Sequence, residues 1–217
     1  MWRFHSTLSR GLESAQISLG KLKSGEQVHV VIDSTGLKVF GEGEWKVRQH
    51  GYSKRRTWRK LHLCVDESNG QILSSSLTDN SYKDNELFKD LVEGLEDHID
   101  KASADGAYDS KECWQHCQDN DIQGIFPPRK GAKLKQHGNS KKDRLQRDEH
   151  IRAIRHKGKD QWKKDSGYSR RSISETAMYR FKTLLSDKLS SREFQRQAAE
   201  AFIKCKILNK MTVPSAL

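Results

Sequence analysis

Proline is scarce in this 217-residue chain, at 3 residues, and glycine reaches only 15. A collagen-like repeat and a Pro/Gly-rich disordered chain are excluded. No apolar run approaches the roughly 18 residues that a bilayer-spanning helix needs, so no membrane partner is expected. The opening residues, MWRFHSTLSRGLESAQ, lack the apolar stretch of a secretory signal. Four cysteines over this length do not make a disulfide scaffold, and a reducing, cytoplasmic setting is expected. Apolar residues are also sparse, at 34%, while charged residues reach 32%. Ordinary globular chains carry about 45–50% and about 25%, so the core should be modest.

What is abundant is positive charge. Lys+Arg number 40 against 29 Asp+Glu, for a net charge of +11. The stretch Arg129–Arg171 holds 16 Lys/Arg and 5 Asp/Glu, so it alone carries a net +11 and the rest of the chain is balanced. A polyanion is the expected partner, and nucleic acid is the commonest one. That stretch reads either as an arm that tracks DNA or as a basic loop ordered only on binding. Residues 45–60, WKVRQHGYSKRRTWRK, add seven Lys/Arg and no acid, with Trp45, Tyr52 and Trp58 interleaved. Bases mixed with aromatics suit a phosphate backbone and unpaired bases. The same pattern would also protect a solvated hairpin edge by charge.

The hydropathy pattern gives the elements. Residues 1–26 read as a short helix and linker. Val28–Ile32 is a β-branched buried strand that Leu37–Phe40 could continue. Residues 57–65 and 71–77 form two strands joined by the turn Glu67-Ser68-Asn69-Gly70. Asp84 is placed to cap a helix from Asn85 to about Leu95. Strands are expected at Ile99–Ala104 and Ile122–Phe126, with a helix between them capped by Ser110. After a polar insert come two helices. One spans 173–189, with Ala177, Phe181, Leu184, Leu185 and Leu189 inward. The other spans Arg192–Met211, with Phe194, Ala198, Ala201, Phe202, Cys205 and Leu208 inward. The order β-β-β-α-β-α-β-α-α implies an α/β fold, a mixed sheet with helices on its faces. The first and fourth strands can then lie parallel, with Asp33 and Asp105 at or just beyond their C-terminal ends, where such sheets place their sites.

Asp33, Asp105 and Glu175 are the candidate chemistry-bearing acids. If the fold brings them together, their charges repel and must be neutralised or protonated. Mg²⁺ binds such oxygens at about 2.0–2.1 Å, and two ions about 3.5–4 Å apart can clamp the attacking and leaving oxygens of a phosphoryl displacement. Asp109 competes with Asp105 for any such role. Ser172-Ile173-Ser174-Glu175 also fits a capping box, in which Glu175 would serve only the helix N-terminus. Against that, Tyr168, Arg171, Glu175 and Lys182 fall on one face of a continuous helix. The stripe needs the helix to begin before Tyr168 and the box needs it to begin near Ser172. The local sequence leaves both open. Cys113, His116 and Cys117 share a helical face but lack a second ligand pair, and buried thiols are the simpler reading. His29 and His62, inside strand patterns, read as structural.

The spacing Tyr168-x2-Arg171-x3-Glu175-x6-Lys182 resembles the Y-R-E-K signature of DDE transposases from bacterial insertion sequences. VVIDSTGLKVFGEGEWKVRQHGYSKRRTWRKLHL and SADGAYDS resemble the two aspartate blocks of the insertion-sequence-five family. The resemblance runs from about Val28 to Met211. It implies an RNase H-like catalytic domain, two Mg²⁺ ions (or Mn²⁺), and cleavage and strand transfer at the element's ends. Asp33, Asp105 and Glu175 would be catalytic metal ligands. Tyr168, Arg171 and Lys182 would contact the transposon-end DNA, and Arg55, Arg56, Trp58, Arg59 and Lys60 are further DNA-binding candidates. The implied partners are double-stranded DNA with terminal inverted repeats, target DNA, and further copies of the chain in a homo-oligomer on DNA. By this reading residues 1–26 are the remnant of an N-terminal DNA-binding region, 27–128 the core with both aspartates, 129–167 a basic insert, and 168–217 the C-terminal helices with the glutamate. The short N-terminus also motivates an alternative, a catalytically incompetent DNA-binding remnant that interferes with intact transposase. A different RNase H-like nuclease is a third reading.

Overall fold

The computed structural model describes residues 19, 22, 25–39, 58–136 and 145–212. The region from 40 to 57, with Arg55 and Arg56, lies outside the described residues, as does nearly all of the expected N-terminal helix. A mixed sheet of six strands forms the centre. β1 (Val28–Val39), β2 (Trp58–Asp66) and β3 (Ile72–Asp79) are an antiparallel meander. β4 (Ile99–Ser103) and β5 (Gln123–Ile125) continue the sheet in parallel, giving the order β3-β2-β1-β4-β5. This is the RNase H-like α/β layout expected from the chain. The first strand does run on without a break through Ser34, Thr35 and Gly36, so Asp33 lies within β1 and not at its C-terminal end as expected.

The helices are α1 (Phe88–Val92), α2 (Lys111–Asp119), α3 (Gln146–Lys157), α4 (Lys159–Ser166), α5 (Ser172–Leu185) and α6 (Phe194–Thr212). Alternation along the strands sends side chains to opposite faces. On one face Val28, Val30, Ile32 and Cys64 pack with α1, α2 and Phe126. On the other Leu37, Leu61, Leu63 and Val65 pack with α5 and α6. Both faces are covered, which is why β1 reads as an almost continuous apolar run.

Several local expectations change. Asp84 does not cap a long helix: a 3-10 turn (Asp84–Leu87) precedes the short α1, Glu86 accepts from the Lys83 amide at 3.1 Å, and Asp84 pairs with Lys60 at 3.1 Å. Gly94, at φ +75°, then turns the chain in a conformation that glycine adopts without strain. Within the polar insert, described residues form α3 and α4. The expected helix 173–189 stops at Leu185, and Lys188–Leu189 forms β6 beside Lys38–Val39 of β1. Leu184 and Phe194, expected inside, are 54% and 43% exposed. Arg59 lies 5.3 Å over the Phe194 ring, which holds that side chain at the surface.

One feature of the sheet positions the site. β4 pairs with β1 only at Val28–Val31, and β6 pairs with the same strand only at Lys38–Val39. Between them, on that edge, residues 32–37 of β1 have no neighbouring strand among the described residues. Asp33 sits in this opening.

Candidate active site

The parallel register of β1 and β4 places the two aspartates together. Its last pair is Val31 with Ser103. Two residues further along each strand are Asp33 and Asp105, and period-two alternation gives both the same face. Asp105 leaves the sheet at the start of a 3-10 turn, Gly106–Tyr108, and its Oδ1 accepts the Ala107 amide at 2.8 Å. Asp33 Oδ1 accepts its neighbour's amide, Ser34 N–H, at 2.8 Å.

Glu175 arrives from α5, on the sheet face toward which Asp33 points. Tyr168–Arg171 is a 3-10 turn that runs directly into α5 at Ser172. Neither local reading of this segment survives intact. The α-helix does not begin before Tyr168, and the Glu175 carboxylate does not reach back to a backbone amide as a capping box requires. It accepts from the Arg171 side chain instead: Arg171 Nη2 donates to Glu175 Oε1 at 2.6 Å, and Nη1 donates to Asp33 Oδ2 at 2.7 Å. Ser174 Oγ, buried beneath, is 3.3 Å from the same Asp33 oxygen.

The electrostatics follow from this packing. Burial raises the Asp33 carboxyl above the usual aspartate range and the charge of Asp105 adds to it, outweighing the Ser34 amide, Arg171 and Ser174. Burial works against the Arg171 cation, but Asp33, Tyr168, Glu175 and Asp105 together hold its guanidinium above its ordinary value. Burial likewise raises the Tyr168 phenol, with Arg171 opposing and Asp105 assisting. The three acids, Arg171 and Tyr168 thus share one electrostatic site, although 142 residues separate Asp33 from Glu175 in sequence. The Tyr108 hydroxyl, a residue the sequence did not single out, is buried without a hydrogen-bond partner. Burial and the charges of Asp84, Asp33 and Asp105 all push its ionisation upward.

The donor set is all carboxylate oxygen, the chemistry that suits Mg²⁺ or Mn²⁺. No three His, Cys, Asp or Glu among the described residues are grouped closely enough to hold an ion. Arg171 supplies the positive charge that such a set requires. The oxygens it occupies, on Asp33 and Glu175, belong to two of the carboxylates that a divalent ion would use in its place.

The other candidate residues are placed as follows. The Tyr168 ring lies 5.4 Å from Trp162, and the Arg171 guanidinium is 5.9 Å from its centre. Lys182 lies two turns beyond Glu175 on α5. Trp58 is 41% exposed at the start of β2. Arg59 Nε donates to Gln197 Oε1 at 2.8 Å, and Lys60 Nζ donates to the Tyr82 carbonyl at 2.8 Å and to Asp84. Behind Tyr168 runs a polar relay that sequence reading missed. Trp162 Nε1 donates to His150 Nδ1 at 2.9 Å, so His150 carries its proton on Nε2 and donates to the Gly124 carbonyl at 2.8 Å. Cys113 and Cys117 are buried free thiols, raised by burial, Cys113 to about 11.

A family model described as a transposase DDE domain matches residues 24–210. No solved structure matches the chain. No helix among the described residues is long and apolar enough to cross a membrane.

Proposed function

The chain belongs to the transposase DDE-domain family, and from that membership and the geometry above we propose that it cleaves insertion-sequence ends and joins them to target DNA. The finer assignment to the insertion-sequence-five family rests on the two aspartate blocks and the Y-R-E-K spacing. The observation that carries the proposal is the Arg171 bridge. One side chain of the signature joins the first aspartate to the glutamate, beside the second aspartate.

In this reading Asp33, Asp105 and Glu175 hold two divalent ions. When bound, these supply Lewis acidity at the scissile phosphate and lower the pKa of a water nucleophile. The protein's own residues do the rest. Asp33, within β1, and Asp105, just past β4, are each fixed by a backbone amide, so their positions are set before DNA arrives. Released from the acids, Arg171 gives a planar pair of donors to a phosphate, the geometry for which guanidinium is suited. Tyr168, backed by Trp162, borders the strand, and Lys182 adds a charge two turns along. Arg55, Arg56, Trp58, Arg59 and Lys60 extend the contact to flanking duplex, Arg59 and Lys60 by exchanging their present partners for phosphates. The complex on DNA contains more than one copy, since two ends must be joined.

The test is Mg²⁺-dependent nicking of DNA that bears the element's inverted repeats. Asp33→Asn, Asp105→Asn and Glu175→Gln should each abolish it while salt-sensitive DNA binding persists. Wild-type rates in any of the three would overturn that residue's role. Binding without cleavage by the unaltered chain would favour the non-catalytic remnant.

A further inference from the structure

Asp109, the acid that competes with Asp105 in the sequence, has no solvent-exposed side-chain surface and four donors. Trp114 Nε1 donates to its Oδ1 at 2.9 Å and the Arg129 amide to its Oδ2 at 2.9 Å. Arg147, from the first turn of α3, grips both oxygens, Nε at 2.6 Å and Nη2 at 3.1 Å. Its remaining nitrogen, Nη1, donates to the Lys133 carbonyl at 3.1 Å. The Arg129 side chain lies over the turn itself, with Nε 3.3 Å from the Gly106 carbonyl and Nη2 3.2 Å from that of Ala107. Gly106 is pressed so closely that a Cβ there would stand 3.3 Å from the Pro127 carbonyl.

These contacts converge on the turn Gly106–Tyr108, which Asp105 precedes, and on Asp109, which ends it. Apart from Trp114 in α2, they come from the segment after β5 and from α3, in or beside the basic stretch that by composition reads as a DNA arm or a basic loop. Arg147 is turned inward, with 14% of its side chain exposed, and its donors are committed to protein acceptors.

We propose that Asp109, clamped between Arg147 and the Pro127–Arg129 segment, is a positioning residue that fixes Asp105 at the sheet edge. Arg129 and Arg147 serve this clamp, and Arg147, whose donors are all taken, does not contact DNA phosphates. The inference rests on the proposed function, in which Asp105 holds a metal. Groups that orient a metal ligand typically change metal affinity by roughly 10- to 100-fold when removed.

The test uses the full chain with two variants. Arg147→Lys keeps the charge but cannot grip both Asp109 oxygens. Arg129→Ala removes the side chain over the turn and leaves the buried pair intact, so it decides the matter if Arg147→Lys fails to fold. Amide hydrogen exchange at Ala107 and Tyr108 should accelerate while amides of β1 and β2 keep their protection. Mn²⁺ binding, followed by electron spin resonance without DNA, should weaken by about tenfold or more. Cleavage should need correspondingly more Mg²⁺, with DNA affinity and its salt slope unchanged. Unaltered exchange in both variants, or faster exchange with unaltered Mn²⁺ affinity, would overturn the proposal. So would a loss of DNA affinity with a shallower salt slope, the mark of a lost phosphate contact. If the unaltered chain takes up no Mn²⁺ and cuts nothing, the proposed function falls. The exchange result then decides by itself whether the clamp holds the turn.

Discussion

Asp33 and Glu175 share one guanidinium, that of Arg171, at 2.7 and 2.6 Å. A cation that neutralises two acids cannot be removed at no cost. In metal-free buffer Arg171→Ala should lower unfolding free energy by about 1–3 kcal/mol, between the values of exposed and buried pairs. The side chains of Arg171 and Asp33 are 21% and 17% exposed, which justifies the intermediate figure. Millimolar Mg²⁺ should stabilise this variant more than it stabilises the unaltered protein, because the ion then meets no competing cation. Thermal unfolding with and without Mg²⁺ measures both effects. Equal increments from Mg²⁺ in the two proteins would show that Arg171 does not compete.

His62 is buried in β2, with Nε2 2.9 Å from Thr78 Oγ1 and Nδ1 unpartnered. Burial pulls its pKa from 6.5 to about 4, with Asp84 opposing and Lys60 assisting. The depressed value belongs to the folded state, so the unfolded chain binds the proton more readily between those limits. Stability should be fully present above about pH 6.5 and fall as pH drops toward 4, by roughly 2–3 kcal/mol from this group. Urea unfolding at pH 7 and pH 4.5 should show the loss, and His62→Leu should remove most of it. His150, also depressed by burial, adds in the same direction.

Asp148, in the first turn of α3, is fully buried and accepts the Lys135 amide on both oxygens, at 3.1 and 2.9 Å, and the Gln136 amide at 2.7 Å. Asp148→Ala strands buried amides and should cost about 2–4 kcal/mol in urea unfolding. Loss of the contact should also expose the Ala132–Gln136 segment to proteolysis. Unchanged cleavage there would mean that the segment is held by other contacts.

Gly124 in β5 lies against Trp114. A Cβ there would stand 3.0 Å from Trp114 Cζ3 and 3.3 Å from Phe126 Cε2. Both rings are packed in the core, so neither can give freely. Gly124→Ala should destabilise by about 1–3 kcal/mol through overpacking, and near-ultraviolet circular dichroism should register the shifted indole. Wild-type stability would show slack that the packing does not reveal.

Much of this protein was legible along the chain. Strands β1 to β5 follow from β-branched runs and alternation, α5 and α6 from apolar spacing, and α2 from its cap. Ser110 caps α2 as its position suggests, its Oγ accepting the Cys113 amide at 3.3 Å. Helices α3 and α4 were not legible, because they bury little apolar surface: Ile151 and Trp162 are their only buried hydrophobic residues among those described. Hydrogen bonds made by Arg147 and Arg152 and accepted by Asp148 hold α3, and Trp162 of α4 donates to His150 of α3. Buried polar contacts of this kind have no period to read.

The sequence determined the order of the candidate acids, the strands that carry or lead to two of them, and the basic character of the molecule, because these follow from residue type and local periodicity. Only the tertiary structure decided that Asp105 faces the site while Asp109 is bound away from it. It alone turned Lys188–Leu189 into a strand and set Arg171 between Asp33 and Glu175. Each of these depends on partners distant in the chain, and no local pattern encodes a contact whose energy comes from the other side of the fold.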